Sequence, residues 1–156
     1  MKSKILILFL SVFVVSCVTP KNFKDYRVVK VHDGDTVTVM IDTNKVVLRL
    51  AYIDAPELKQ PYGIESRNFL SNLLMGVSVE LVQGKKDKYG RMLAQINLGS
   101  TNVNFYMVQR GQAWVYYNNH DMEYIKAQHL AINNGLGLWQ DPKTNIVAPW
   151  EWRKRK

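Results

Sequence analysis

Thr36–Ile41 alternates without a break: Val37, Val39 and Ile41 fall on one side, Thr36, Thr38 and Met40 on the other. That period of two belongs to a β-strand. Asp42-Thr43-Asn44 supplies turn chemistry, and Val46–Ile53 follows as a long β-branched and apolar run with Arg49 inside it. Tyr26–Val31, Ser78–Gln83 and Arg91–Leu98 read as three more strands. In the last of these, Met92, Ala94, Ile96 and Leu98 share one face, and Arg91 has the opposite parity.

Helical patterns lie between and after the strands. Ile64–Met75 puts Phe69, Leu70, Leu73 and Leu74 on one stripe and stops at Gly76. Asn102–Arg110 has Ser100 or Thr101 as its cap and Gly111 just past its end, and Met122–Asn134 carries Ile125, Leu130 and Ile132 before Gly135. Five short strands with about three helices make a mainly β fold with α, expected as a five-stranded barrel with helices packed around it. Among such barrels the OB-fold is a common host for oligonucleotides. No internal repeat or second domain boundary interrupts the pattern.

Composition enters as a constraint on partners. With 47% apolar and 22% charged residues the chain is neither a solvated tail nor a fibrous repeat. Half of its net charge of +8 sits in Arg153-Lys154-Arg155-Lys156. The basicity is therefore local, and overall charge alone overstates the case for nucleic acid. This basic end is expected to fray. Trp150 and Trp152 beside it serve either as a clamp folded onto the domain or as stacking surfaces.

The first residues read as an address. Lys2 and Lys4 precede an 11-residue greasy run, Ile5 to Val15, broken only by Ser11. That is too short for a bilayer that needs ~20 apolar residues. Val14-Val15-Ser16-Cys17 resembles a bacterial lipobox, in which the cysteine becomes the first mature residue and carries the lipid; Cys17 is the lone cysteine. An ordinary cleaved signal and a chance thiol are the alternatives. Val18–Asp25 then reads as a short tether, reaching at most ~30 Å when extended.

Two acidic clusters stand out in this basic chain: Asp33-Gly34-Asp35-Thr36 at the mouth of a strand, and Asp54-Ala55-Pro56-Glu57 after the Arg49 strand. Carboxylates converging at strand ends repel unless a cation sits between them, and such hard oxygen donors suit calcium or magnesium rather than zinc. The first cluster is no EF-hand loop, because Val37 stands where a ligand belongs. Alone, each pattern is an ordinary acidic turn. Asp87-Lys88-Tyr89-Gly90-Arg91 adds a turn that delivers an arginine at the start of the last strand. Arg49 and Arg91 flanking a carboxylate-held cation are what a phosphodiester calls for, since guanidinium forks bond phosphate oxygens and stabilise growing negative charge. Glu57 is then placed to take a proton from attacking water.

Val31-His32-Asp33-Gly34-Asp35-Thr36, Arg49-Leu50-Ala51-Tyr52-Ile53-Asp54-Ala55-Pro56-Glu57 and Asp87-Lys88-Tyr89-Gly90-Arg91, in that order, resemble the staphylococcal nuclease (thermonuclease) family. The likeness runs from about Tyr26 to Trp139 and includes Asn104 and Gly137-Leu138-Trp139. It implies calcium held by the side chains of Asp35 and Asp54 and by the main-chain carbonyl of Ala55, where many members have threonine. It implies Arg49 and Arg91 on the scissile phosphate, and Glu57 as general base or as the group that positions the water. Tyr89 would lie against phosphate or sugar, and Asp33 would support the metal ligands. Tyr117 aligns with a base-stacking tyrosine, a one-residue slip favouring Tyr116. Lys85, Lys86 and Lys88 either steer phosphates or form a solvated loop; Lys88, inside the motif, counts with Tyr89 and Tyr117 as a substrate contact. The stretch from Leu58 to Gly63 is shorter than the lysine-rich loop of the secreted staphylococcal enzyme, which bears on substrate affinity and metal retention.

Taken together, residues 1–16 are expected to be a lipoprotein-type signal peptide, 17–25 the lipidated Cys17 and tether, and 26–156 a nuclease-like domain with a basic tail. The expected protein is an exported, lipid-anchored, monomeric, calcium-dependent endonuclease that hydrolyses DNA and RNA to 5′-hydroxyl and 3′-phosphate ends. The alternatives are a non-catalytic OB-fold nucleic-acid-binding envelope lipoprotein and an envelope adhesin with incidental DNA affinity.

Overall fold

The computed structural model describes residues 26–140 and 146–155. The stretches expected to be signal peptide and tether, with Cys17, lie outside the described residues, as does Lys156. The strands are β1 (Tyr26–Val31), β2 (Thr36–Ile41), β3 (Asn44–Leu50), β4 (Ile53–Asp54), β5 (Ser78–Lys86), β6 (Met92–Leu98), β7 (Thr101–Asn102) and β8 (Trp114–Val115). The helices are α1 (Gly63–Leu74), α2 (Val103–Gln109), α3 (Met122–Asn133) and the single turn α4 (Pro149–Trp152).

Antiparallel pairing runs β3-β2-β1-β5-β6, and a parallel pairing of β3 with β6 joins the two ends. Five strands thus close on themselves, as expected of the OB type, and the barrel has no free edge along this seam. Leu48, Arg49 and Leu50 lie opposite Met92, Leu93 and Ala94 across it. Alternation does what the sequence implied: Val37 and Val39 of β2, Leu48 and Leu50 of β3 and Ala94 and Ile96 of β6 point into one core with Val28. Leu70 and Leu74 of α1 and Val103 and Met107 of α2 cover it.

Within the strands and α2 and α3 the structure departs from the sequence expectations at several places. The long run Val46–Ile53 does not stay a strand: β3 ends at Leu50 and Tyr52 adopts φ 71°. A bulky residue in that region costs about 1–2 kcal/mol, offset here by ring contact with Tyr124 at 5.9 Å and by the Tyr116 amide donating to the Tyr52 carbonyl at 2.8 Å. Arg91 precedes β6 rather than opening it. The cap of α2 is neither Ser100 nor Thr101, because Thr101 pairs with Leu98; Asn102 accepts from the Phe105 amide at 3.0 Å instead. Finally, α3 buries Tyr124, Ala127 and Ala131, while Leu130 and Ile132 stay exposed. The alanines leave room for α2 to lie close, and this packing outranks side-chain hydrophobicity in choosing the face.

Tyr124 also sets an alkaline limit. Its ring stands edge-on to Phe105 at 5.3 Å, and burial pushes its hydroxyl up to about 12 from 10.0. A raised folded value means the neutral phenol is favoured in the folded state, so this stability is complete below about 10 and lost as pH rises through about 12. Thermal melts across that window are expected to show Tyr124→Phe losing less stability than the parent chain. Parallel decline of the two proteins would refute the assignment.

Candidate active site

Asp35 is fixed by close packing at one end of the barrel. A β-carbon on Gly34 would overlap the Ser66 hydroxyl and press on the Ala55 side chain, so only glycine lets the loop between β1 and β2 lie this close. The Asp35 carbonyl accepts from the Leu50 amide at 2.8 Å, tying the start of β2 to the end of β3. Its carboxylate accepts from the Ala55 amide at 2.6 Å and from the Thr36 hydroxyl at 3.0 Å.

The turn at Tyr52 sends the chain back so that Asp54 faces Asp35. Arg49 is wrapped inside that turn. Its Nη1 donates to the carbonyls of Leu50 and Ile53, its Nε meets Asp35 Oδ1 at 3.0 Å and its Nη2 meets Asp54 Oδ1 at 2.9 Å. Three of the five N–H groups of the guanidinium are hydrogen-bonded and Nε is ion-paired with Asp35, leaving one Nη2 N–H for a ligand. Asn104, fully buried at the start of α2, donates to the carbonyls of Ala51 and Ala94 and accepts from the Ile96 amide. It locks the turn to β6.

Three carboxylates crowd this end of the barrel. Burial, and then the charge of Asp35, raises Asp33 to about 7 from 3.8. Burial raises Asp54 as well; Arg153 and Arg49 pull it down and Asp35 pushes it up. Asp35 and Asp54 are 5% and 1% exposed, and one guanidinium spans them. Such a donor set fits a hard divalent cation: all oxygen, dianionic and close enough to share one charge. No group of three His, Cys, Asp or Glu side chains in ligand geometry exists among the described residues. Carbonyls and water would complete a sphere of about six to eight oxygens.

The same cleft, of about 1260 Å³, is lined on its other wall by Asp87, Lys88, Tyr89 and Arg91. Asp87 shapes that wall, accepting from the amides of Tyr89 and Arg91 at 2.9 Å and from Arg91 Nε at 2.7 Å. Burial pushes Asp87 up, but these hydrogen bonds outweigh it and hold the carboxyl below its usual range. The two Nη groups of Arg91 meet no acceptor among the described residues and are free for a ligand. Tyr89, 72% exposed, lies beneath Lys88 and Arg91, 5.0 Å and 5.4 Å from its ring.

Glu57 is set by a compact loop. Its carbonyl accepts from the Gln60 amide at 2.8 Å, and a β-carbon on Gly63 would strike that carbonyl. β4 pairs with β8, Asp54 opposite Trp114, so the residues after β8 arrive beside the acidic pair. Tyr117 lines the cleft with Tyr116, the two rings 4.5 Å apart. Asp33, Asp35, Arg49, Asp54, Ala55, Glu57, Lys88, Tyr89, Arg91 and Tyr117 therefore line one cleft, while Lys86 lies outside it.

One occupant was not legible in the sequence. The basic end does not fray over its described part: Arg153–Arg155 form a 3-10 turn, and Arg153 reaches into the cleft. Its Nη2 lies 2.7 Å from Asp54 Oδ2 and its Nη1 2.8 Å from Glu57 Oε1. The signal available was complementarity, a local excess of positive charge in a chain whose candidate site is an excess of negative charge.

The family model described as "Staphylococcal nuclease homologue" matches residues 47–141. An "Uncharacterized endonuclease" of Haemophilus influenzae is 40% identical over 149 residues, covering 94% of this chain and 83% of that protein. An "Uncharacterized endonuclease" of Escherichia coli O157:H7 is 44% identical, with 83% and 85% covered. A "Micrococcal nuclease" of Shigella flexneri is 36% identical, with 90% and 88% covered. A closed barrel, the acidic pair spanned by Arg49, the Asp87–Arg91 turn and these similarities converge on one conclusion: the chain belongs to the staphylococcal nuclease homologue family.

Proposed function

We propose that this chain is a calcium-dependent endonuclease acting on DNA and RNA to leave 5′-hydroxyl and 3′-phosphate ends. Family membership and relatives named as endonucleases support the nuclease reading. The single observation that carries it to this chain is the cleft itself. It brings two buried carboxylates, an arginine with unengaged Nη groups and Glu57 onto one lining.

Asp35, Asp54 and the carbonyl of Ala55 are the proposed calcium ligands. Bound calcium supplies Lewis acidity, polarising the phosphodiester and lowering the cost of the extra negative charge it acquires. Arg91 donates its Nη groups to phosphate oxygens, and Asp87 keeps that guanidinium turned into the cleft. Arg49 adds its one remaining N–H. Glu57 takes a proton from the water that attacks phosphorus; the bond from phosphorus to the 5′ oxygen breaks, that oxygen takes a proton from solvent to become the 5′-hydroxyl, and the phosphate stays on the 3′ side. Tyr89 gives the sugar–phosphate an exposed ring to lie on, with Lys88 beside it, and Tyr117 offers a face to a base. Export and lipid anchoring through Cys17 belong to the same proposal and rest on the sequence alone.

A gel assay on double-stranded DNA and on RNA, with calcium and then with chelator, tests this. Cleavage is expected in calcium and none in chelator, with 3′-phosphate ends on the fragments. Intact nucleic acid under both conditions would leave a non-catalytic binding module or an adhesin in its place.

A further inference from the structure

Residues 146–155 lie beyond the stretch that the family model matches, yet they are seated on the cleft. Gln60 donates from its side chain to the Val147 carbonyl, Pro149 is buried, and Trp150 stands 5.7 Å from the Tyr117 ring. α4 then brings Arg153 onto Asp54 and Glu57. We propose that this segment is a plug, with Arg153 as an internal cation and Trp150 on the stacking face, which calcium and nucleic acid displace in order to bind.

The contacts reach three of the proposed functional residues, Asp54, Glu57 and Tyr117. Asp54 has both oxygens engaged: Oδ1 by Arg49 at 2.9 Å and Arg153 at 3.3 Å, Oδ2 by Arg153 at 2.7 Å. A divalent ion on Asp54 and the Arg153 pair compete for the same oxygen. Arg153 Nη1 occupies an acceptor site on Glu57 Oε1 and, by its charge, makes that carboxylate a weaker base toward water. Trp150, tilted against Tyr117 at 5.7 Å, crowds the approach of a base to that ring. A flat indole followed three residues later by a guanidinium takes the positions of a base and a cation.

The plug is built to yield. Arg153 is 42% exposed, so its pairs are screened by water and exchangeable, unlike the Arg49 pairs at 12%. Linkage then requires the converse: whatever seats calcium must loosen the segment, by the same factor that the segment weakens calcium.

This inference rests on the calcium reading above, and the test separates the two. Calcium titration of the full chain by calorimetry, beside Arg153→Ala and Trp150→Ala, is expected to show about five- to tenfold tighter binding in both variants. Hydrogen exchange at the Glu151 and Trp152 amides, which donate to the Ala148 carbonyl, is expected to quicken when calcium is added to the parent chain. Equal measurable affinities, weaker binding by Arg153→Ala, or unchanged exchange would overturn the plug and leave the calcium reading standing. Calcium taken up by none of the three proteins would overturn both.

Discussion

Arg49→Ala is expected to lower the stability of the metal-free protein by about 3 kcal/mol, with a fall in melting temperature on the order of 10 °C. The substitution removes the group that spans Asp35 and Asp54, and both carboxylates are almost wholly buried. Deleting one member of a buried pair is costly because the other is stranded, and here two charges are stranded by one deletion. The carbonyls of Leu50 and Ile53 also lose their donor, so the turn at Tyr52 loosens. Arg153 moderates the loss by neutralising Asp54 from the other side. Calcium is expected to raise the melting temperature of the variant by more than it raises that of the parent, because the ion replaces a missing charge rather than competing with one. Arg49→Lys should fall between the two, since a point charge cannot span both carboxylates. Differential scanning calorimetry in chelator and in calcium reads all of this. A variant melting within about 2 °C of the parent in chelator would show that the aspartates do not depend on this guanidinium.

Arg91→Ala should do the opposite: turnover falls by about 10²- to 10⁴-fold while stability stays within about 1 kcal/mol. The side chain is 32% exposed and paired only with Asp87 at its Nε, so little folding energy is at stake. Its Nη groups face the cleft without protein acceptors among the described residues, so their loss is felt when a phosphate gains charge. The Asp87 carboxyl, freed of the Arg91 side chain, should titrate higher than in the parent, a shift readable by NMR. Single-turnover rates on a defined oligonucleotide, beside a thermal melt, measure both halves. Rates within about threefold of the parent would remove Arg91 from the phosphate.

The contrast between these arginines also shows where sequence reading reaches its limit. Residue type and order were enough to gather Asp35, Arg49, Asp54, Glu57 and Arg91 as one set, because chemistry restricts which side chains a phosphodiester site can use. Order along the chain did not reveal that Arg49 lies among the carboxylates while Arg91 stands apart. That depends on the reversal at Tyr52, where a left-handed residue sits inside an otherwise β-like run. Period-two alternation identified β2 and the apolar face of β6, since a strand's two sides are fixed by geometry. The larger apolar residues of α3, Leu130 and Ile132, do not mark its buried face, which Ala127 and Ala131 do. Close approach of α2 selects small residues, and periodicity carries no information about a neighbour's distance. Arg153 was out of reach for a related reason: nothing local distinguishes a solvated basic end from one with an acidic partner a hundred residues away.

The parallel seam between β3 and β6 ties chemistry to the order of assembly. Arg49 and Leu93, about forty-four positions apart, meet only when that seam zips shut, and such non-local pairing slows folding. Until then the acidic half of the cleft has no Arg91 opposite it. The seam that closes the barrel is therefore also what sets the two halves of the cleft against each other.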